Sequence, residues 1–147
     1  MSIVARFGEY AAAFEKVFEN DDWSILEPYF TENAVYEVLA NPPLGGRQDG
    51  RDNIFSGIKI ALDTFDRRFD GRVLELVDGP EVRDGAVWIR WRGTYQLSEA
   101  PDFILEGEET AHFEGDRISR LEDTFSEGTD EKLQRYMEEH GAKLAVD

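Results

Sequence analysis

From Arg72 to Phe125 the chain keeps a two-residue rhythm of apolar and polar side chains in four segments. Arg72–Val82 and Ala86–Leu97 are separated by Asp84-Gly85, and Phe103–Phe113 and Arg117–Phe125 by Glu114-Gly115-Asp116. A period of two sends successive side chains to opposite faces, and Asp-Gly supplies the positive φ that a tight hairpin needs. This half of the chain is therefore expected to fold as an antiparallel meander with one apolar face.

The flanks carry the other period. Phe7, Tyr10, Ala11, Phe14, Val17 and Phe18 make a helical stripe that runs to Asn20. Asp22 is placed to cap a second short helix bearing Trp23, Leu26, Tyr29 and Phe30, and Ala34–Leu39 reads as a strand. Two prolines and two glycines make Asn41–Gly46 a loop. A long helix is expected over Arg51–Arg68, with Ile54, Phe55, Ile58, Ala61, Leu62 and Phe65 buried, and a last one from Thr129, whose first turn holds Asp130 and Glu131. Helices segregated from a meandering sheet imply an α+β fold. At 147 residues the length suits a single domain, 1–147.

Asp and Glu number 32 against 16 Lys and Arg, a net charge of −16, so a polyanionic partner is disfavoured and neither nucleic acid nor an anionic membrane surface is expected. Ten Phe, five Tyr and three Trp provide for a packed core. The absence of cysteine removes disulfides, thiolate metal sites and a cysteine nucleophile. No run is apolar enough to span a bilayer and the first residues do not read as a signal peptide, so the cytoplasm is the expected location. His112 falls in the outward strand register and His140 near the end of the last helix, expected in solvent. No metal-ligand spacing, phosphate loop or nucleophile elbow stands out, and neither a metal nor a cofactor is expected.

Two segments carry a family resemblance. Glu19-Asn20-Asp21-Asp22-Trp23 through Tyr29-Phe30-Thr31-Glu32-Asn33-Ala34-Val35-Tyr36 resembles the opening of nuclear-transport-factor-2-like proteins. His112-Phe113-Glu114-Gly115-Asp116-Arg117-Ile118 with Leu121-Glu122-Asp123-Thr124-Phe125-Ser126 is similar to the last hairpin of their SnoaL-like branch. The resemblance implies a cystatin-like cone, a curved antiparallel sheet wrapped around a long helix, enclosing an apolar pocket for a small hydrophobic molecule. It also implies a homodimer through the outer sheet face, for which Trp88 and Ile118 are expected to be exposed. Members include polyketide cyclases, ketosteroid isomerase, scytalone dehydratase and limonene epoxide hydrolase as well as binding modules, so the fold leaves the chemistry open.

In the strand registers Val87, Ile89, Trp91, Gly93 and Tyr95 share the inward face with Phe103, Leu105, Gly107, Glu109, Ala111 and Phe113, and with Ser119, Leu121, Asp123 and Phe125. Arg90, Arg92, Glu106, Glu108, Arg120 and Glu122 fall outward, where opposite charges on adjacent strands can pair. Glu109 and Asp123 are the acids in an apolar register. A buried carboxyl needs a partner, a raised pKa or water, and two together favour holding one proton between them. A three-residue loop at Glu114-Gly115-Asp116 keeps both inward; a two-residue turn shifts the pairing by one.

Tyr36, in the apolar register of the first strand, is placed to donate a hydrogen bond. Trp91, Tyr95, Val38, Phe14, Leu121 and Phe125 are the candidate wall of the implied pocket. Matching segments with ketosteroid isomerase puts its oxyanion-binding tyrosine at Phe14 and its base at Val38; only its buried acid has a counterpart, Glu109. Steroid isomerisation is therefore not expected, nor are two scytalone-dehydratase-like histidines present. The acid of the last SnoaL-like strand corresponds to Asp123. Two functions follow: cofactor-free isomerase, cyclase, dehydratase or hydrolase chemistry by Asp123, Glu109 and Tyr36, or a non-catalytic ligand-binding or protein-interaction domain in which both acids are structural.

Overall fold

A computed structural model describes residues 2–41 and 44–144, so Pro42 and Pro43 of the expected loop lie outside the described residues. The fold is α+β. Helix α1 (Ile3–Asn20) starts four residues before the periodic stripe, because the Ser2 hydroxyl caps it by accepting from the Ala5 amide at 3.2 Å. It ends where Asp21 turns left-handed at φ 58°. A 3₁₀ helix (Trp23–Tyr29) leads into β1 (Phe30–Val38). A short strand β2 (Gly46–Asp49) returns along β1 and leads to α2 (Arg51–Thr64). Strands β3 (Gly71–Arg83), β4 (Ala86–Gln96), β5 (Phe103–Glu114) and β6 (Arg117–Phe125) follow, then α3 (Thr129–His140).

The sheet order is β2-β1-β6-β5-β4-β3. It is mixed rather than wholly antiparallel as expected, because β1 pairs with β6 in parallel. Three reversals between β3 and β6 fix the direction of β6, and that direction matches β1 where the two meet. Strand β2 leaves no periodic signal in the sequence, because Gly46-Arg47-Gln48-Asp49 is exposed throughout and carries no apolar alternation. Helix α2 stops at Thr64 instead of Arg68; Phe65 leaves helical geometry and a short 3₁₀ turn carries Asp66–Arg68.

The last hairpin decides which side chains enter the interior. Glu114 pairs with Arg117 and Phe113 with Ile118, so the turn is the two-residue form, Gly115-Asp116. Between His112 and Phe113 the register then shifts by one, and from His112↔Arg120 onward it runs through Thr110↔Glu122 and Glu109↔Asp123. Ser119 is the extra residue of a β-bulge, and its hydroxyl donates to the His112 carbonyl at 3.3 Å. Because the bulge flips parity, Ile118 and Leu121 both point inward, at 0% and 1% exposure. Ile118 is thus core, contrary to its expected place on the outer face.

Trp88, expected to be exposed outside, is 5% exposed. The Arg83 guanidinium lies 3.4 Å from its ring centroid and its Nε1–H donates to Glu108 at 3.0 Å. The outer face carries the expected ion pairs, Arg90 with Glu108 and Arg92 with Glu106, joined by Arg120 with Glu37 and Glu122. His140 is not in solvent as expected: its ring packs on Tyr136 at 5.0 Å between centroids.

Inside, the core falls into two clusters. One gathers Phe7, Tyr10, Val17, Leu26, Phe30 and Phe55 around α1 and the start of β1; the other gathers Phe69, Tyr95, Phe103, Leu105 and Tyr136 near α3. On the sheet, Ile89 packs against the first and Trp91 against the second, and Glu109 is the rung opposite Ile89. The two acids therefore sit at the seam. Deleting Ser119 leaves Ile118 and Asp123 unable to face inward together, and we expect a loss of about 2–4 kcal/mol in denaturant unfolding. Unchanged stability would show that the bulge does not set the register.

Candidate active site

Glu109 on β5 and Asp123 on β6 are direct partners across the ladder, and Val38 on β1 is the partner of Asp123 on its other side. Side chains of such partners have Cβ atoms about 4.5–5.5 Å apart. The two carboxyls meet on that rung, and burial together with their mutual charge favours a proton held between them. Asp123 is 8% exposed, whereas Glu109 retains some accessible surface.

Tyr36, two residues before Val38, donates its phenolic O–H to Oδ2 of Asp123. Oδ1 of Asp123 is buried and receives no donor in its own right unless the shared proton of Glu109 points to it. Burial first, then the Asp123 charge, drives the Glu109 carboxyl well above the ordinary carboxylate range. Burial also raises Asp123, but hydrogen bonds from Glu109 and Tyr36 pull the other way. The proton is therefore assigned to Glu109 and the carboxylate to Asp123, with the pair titrating as a unit.

Tyr10 lies near enough to feel the pair's charge, although its place on the helix stripe marks it in the sequence only as a core position. It is 5% exposed, and burial, followed by the charges of Glu109 and Asp123, pushes its phenol well above its usual value. Tyr36 is raised in the same way, first by burial and then by Asp123, so both phenols keep their protons. A signal for Tyr10 does exist in the sequence. It lies one helical turn before Phe14 on the same face.

The other candidates divide. Trp91 keeps accessible surface, as do Phe125, Val38 and Phe14. Trp91 meets Phe125 edge to face at 5.8 Å between centroids and lies over Gly107, where a Cβ would sit 2.9 Å from the indole and 2.1 Å from the Thr124 carbonyl oxygen. Glycine is thus required beneath the ring. Leu121, at 1% exposure, is packed core with no surface for a ligand. Tyr95 is 4% exposed and its hydroxyl is committed to Asp66 at 3.3 Å. Asp66 in turn holds Arg72 at 3.0 Å, and burial outweighs that arginine in setting the Asp66 carboxyl above its usual value.

Beyond the acids, where β1 and β6 end, Leu39, Asn41, Phe125, Glu127, Asp130 and Glu131 line an open groove of about 620 Å³. The Leu39 amide donates to the Asp123 carbonyl at 2.8 Å, and neither acid is part of the groove's lining. Among the described residues no group of three or more His, Asp or Glu side chains is placed to hold a metal ion, and no helix is long and apolar enough to cross a membrane.

Among solved structures, Bal32a from a soil-derived mobile gene cassette superposes with a TM-score of 0.63 and 19% identity, over 86% of this chain and 93% of that one. A Catenulispora acidiphila protein with a ketosteroid-isomerase-like fold, in complex with trimethylamine, gives 0.58 and 18%, over 81% and 86%. TerC co-crystallized with polyporic acid gives 0.61 and 17%, over 86% and 96%. Other matches at comparable scores are NTF2-like or cystatin-like proteins.

This chain has the NTF2-like fold.

No family model and no curated protein matches the sequence, so the shared NTF2-like architecture stands on structure alone. It accounts for the position of the acid pair on the concave side of the sheet, whereas identities near one in five carry no chemistry across.

The pair makes stability depend on pH with a definite sign. The unfolded carboxyls titrate near about pH 4. Folded Glu109 and Asp123 hold protons to higher pH, so above that value the native state binds more protons and stability falls as pH rises through the folded values. We expect Glu109→Gln to raise the melting temperature at about pH 8 by about 3–8 °C, the difference narrowing toward about pH 5. Calorimetry showing a constant difference, or a destabilised variant, would count against the assignment of the proton.

Proposed function

We propose that this NTF2-like protein handles a small hydrophobic molecule in the concave interior and performs cofactor-free acid/base chemistry on it, as an isomerase, cyclase, dehydratase or hydrolase of the SnoaL-like kind. One observation carries the reading. Two carboxyls face each other on one rung of the sheet at the seam of an aromatic core, where a structural role would be met more cheaply by an apolar pair.

The roles follow from the hydrogen bonds. Asp123 removes a proton and Glu109 delivers one, since the pair holds one acid and one base at the same site. Tyr36 positions Asp123, because its own proton is spent on Oδ2. That moves the task of orienting a polar group of the ligand from Tyr36 to Tyr10. Trp91, Phe125, Val38 and Phe14, which keep accessible surface on the concave side, supply the wall.

A generic carbon acid tests it. 5-Nitrobenzisoxazole opens when a base removes its ring proton, and its product is coloured. We expect the wild-type chain to accelerate the opening and Asp123→Asn to lose about 100-fold of that acceleration with its melting temperature kept. Equal rates for the two would leave the acids structural and favour the binding-module alternative.

The homodimer is proposed on residues other than those first expected. With Trp88 and Ile118 buried, the apolar surface left open lies on the edge strand β3, where Val73, Leu76, Val77 and Val82 are 46%, 55%, 42% and 56% exposed. A long apolar edge is a liability for a monomer and an interface for a second copy. Light scattering at micromolar concentration is expected to give twice the chain mass, reverting to one chain in Leu76→Glu; a wild-type mass of 16.8 kDa would reject the dimer.

A further inference from the structure

No lysine, arginine or histidine among the described residues is paired with Glu109 or Asp123; burial, the partner acid and Tyr36 set their protonation. Among the described residues Arg72 is the sheet arginine in the inward register, and it is spent on Asp66 at 3.0 Å and Glu15 at 3.1 Å. Arg90, Arg92 and Arg120 are paired on the outer face. A pair that holds one proton carries one negative charge, at the seam of two aromatic clusters. A buried charge of that kind is ordinarily paired.

Two further features bear on what pairs it. Asp123 is more than nine-tenths buried, and among the described residues only Tyr36 and Glu109 offer its carboxylate a donor. The half-exposed rings of Trp91 and Phe125 stand beside it in the same inward register, and aromatic faces attract cations. The groove beyond the acids carries Glu127, Asp130 and Glu131 on its lip and no basic residue in its lining.

We propose that the ligand of this site is a small organic cation, an amine carrying an apolar body, whose ammonium is held by the Glu109–Asp123 pair and whose body lies against Trp91 and Phe125. The inference rests on the reading of the concave interior as a ligand site. An ammonium donates to Oδ1 and supplies the missing charge. A neutral ligand leaves the pair's charge buried and further desolvates it, and a carboxylate adds a second negative charge. The order of affinity is therefore cation over neutral over anion.

Benzylamine, benzyl alcohol and benzoate share one ring and differ in charge, so titration calorimetry of the full chain with each tests the proposal. About 0.5 M salt screens the attraction of the bulk −16 charge. We expect benzylamine to bind at least about tenfold more tightly than benzyl alcohol. Benzoate should not bind, and Glu109→Gln/Asp123→Asn should bind amine and alcohol alike. Alcohol binding as tightly as amine, or a preference that survives in the double variant, overturns the charge assignment and leaves the ligand site standing. No binding of any of the three to the wild type overturns both. Should the double variant not fold, the order of the three affinities in the wild type still separates these outcomes.

Discussion

Two carboxyls face each other across one rung on the concave side of the sheet, and the arrangement holds only because a single residue, Ser119, bulges out of β6. Upstream of the bulge the two-residue turn would send Ile118 inward and Asp123 outward. Downstream parity is restored, so the chain buries Ile118 and Leu121 and still brings Asp123 opposite Glu109. Burial then makes the second ionisation expensive, and the pair retains a proton. The division of the core into two aromatic clusters, the commitment of Tyr36 to Asp123 and the placing of Tyr10 all follow from where that rung lies.

The same sheet keeps its charges apart. Outward arginines and acids on adjacent strands neutralise one another, and Arg83 closes over Trp88, so the outer face spends its basic residues locally. The one inward arginine among the described residues of the sheet is likewise consumed, by Asp66 and Glu15. The carboxyl pair in such a molecule has no basic partner among the described residues. Its place on the sheet is that of the NTF2-like fold.

Much of the architecture is legible from periodicity. Strand β6 ends where the alternation ends, α3 begins at Thr129, and Glu109 and Asp123 stand out as acids in apolar registers. Strand β2 is not legible, since all four residues are exposed and none is a large apolar side chain, nor is the parallel pairing of β1 with β6, which depends on the count of reversals between them. Tyr10 is hidden by its own surroundings: on a stripe of aromatic residues a phenol reads like a phenylalanine until the opposing strand is known.

The sequence by itself determined the alternating strands, the helical stripes and the identity of the two misplaced acids, because these are properties of residues close in the chain. Tertiary structure alone decided that the acids meet, that Ile118 and Trp88 are covered, and that Tyr36 serves Asp123 while Tyr10 is left free. The reason is the parity of a β-strand. One inserted residue reverses every side chain beyond it, and whether a bulge forms there is settled by what the rest of the molecule can bury.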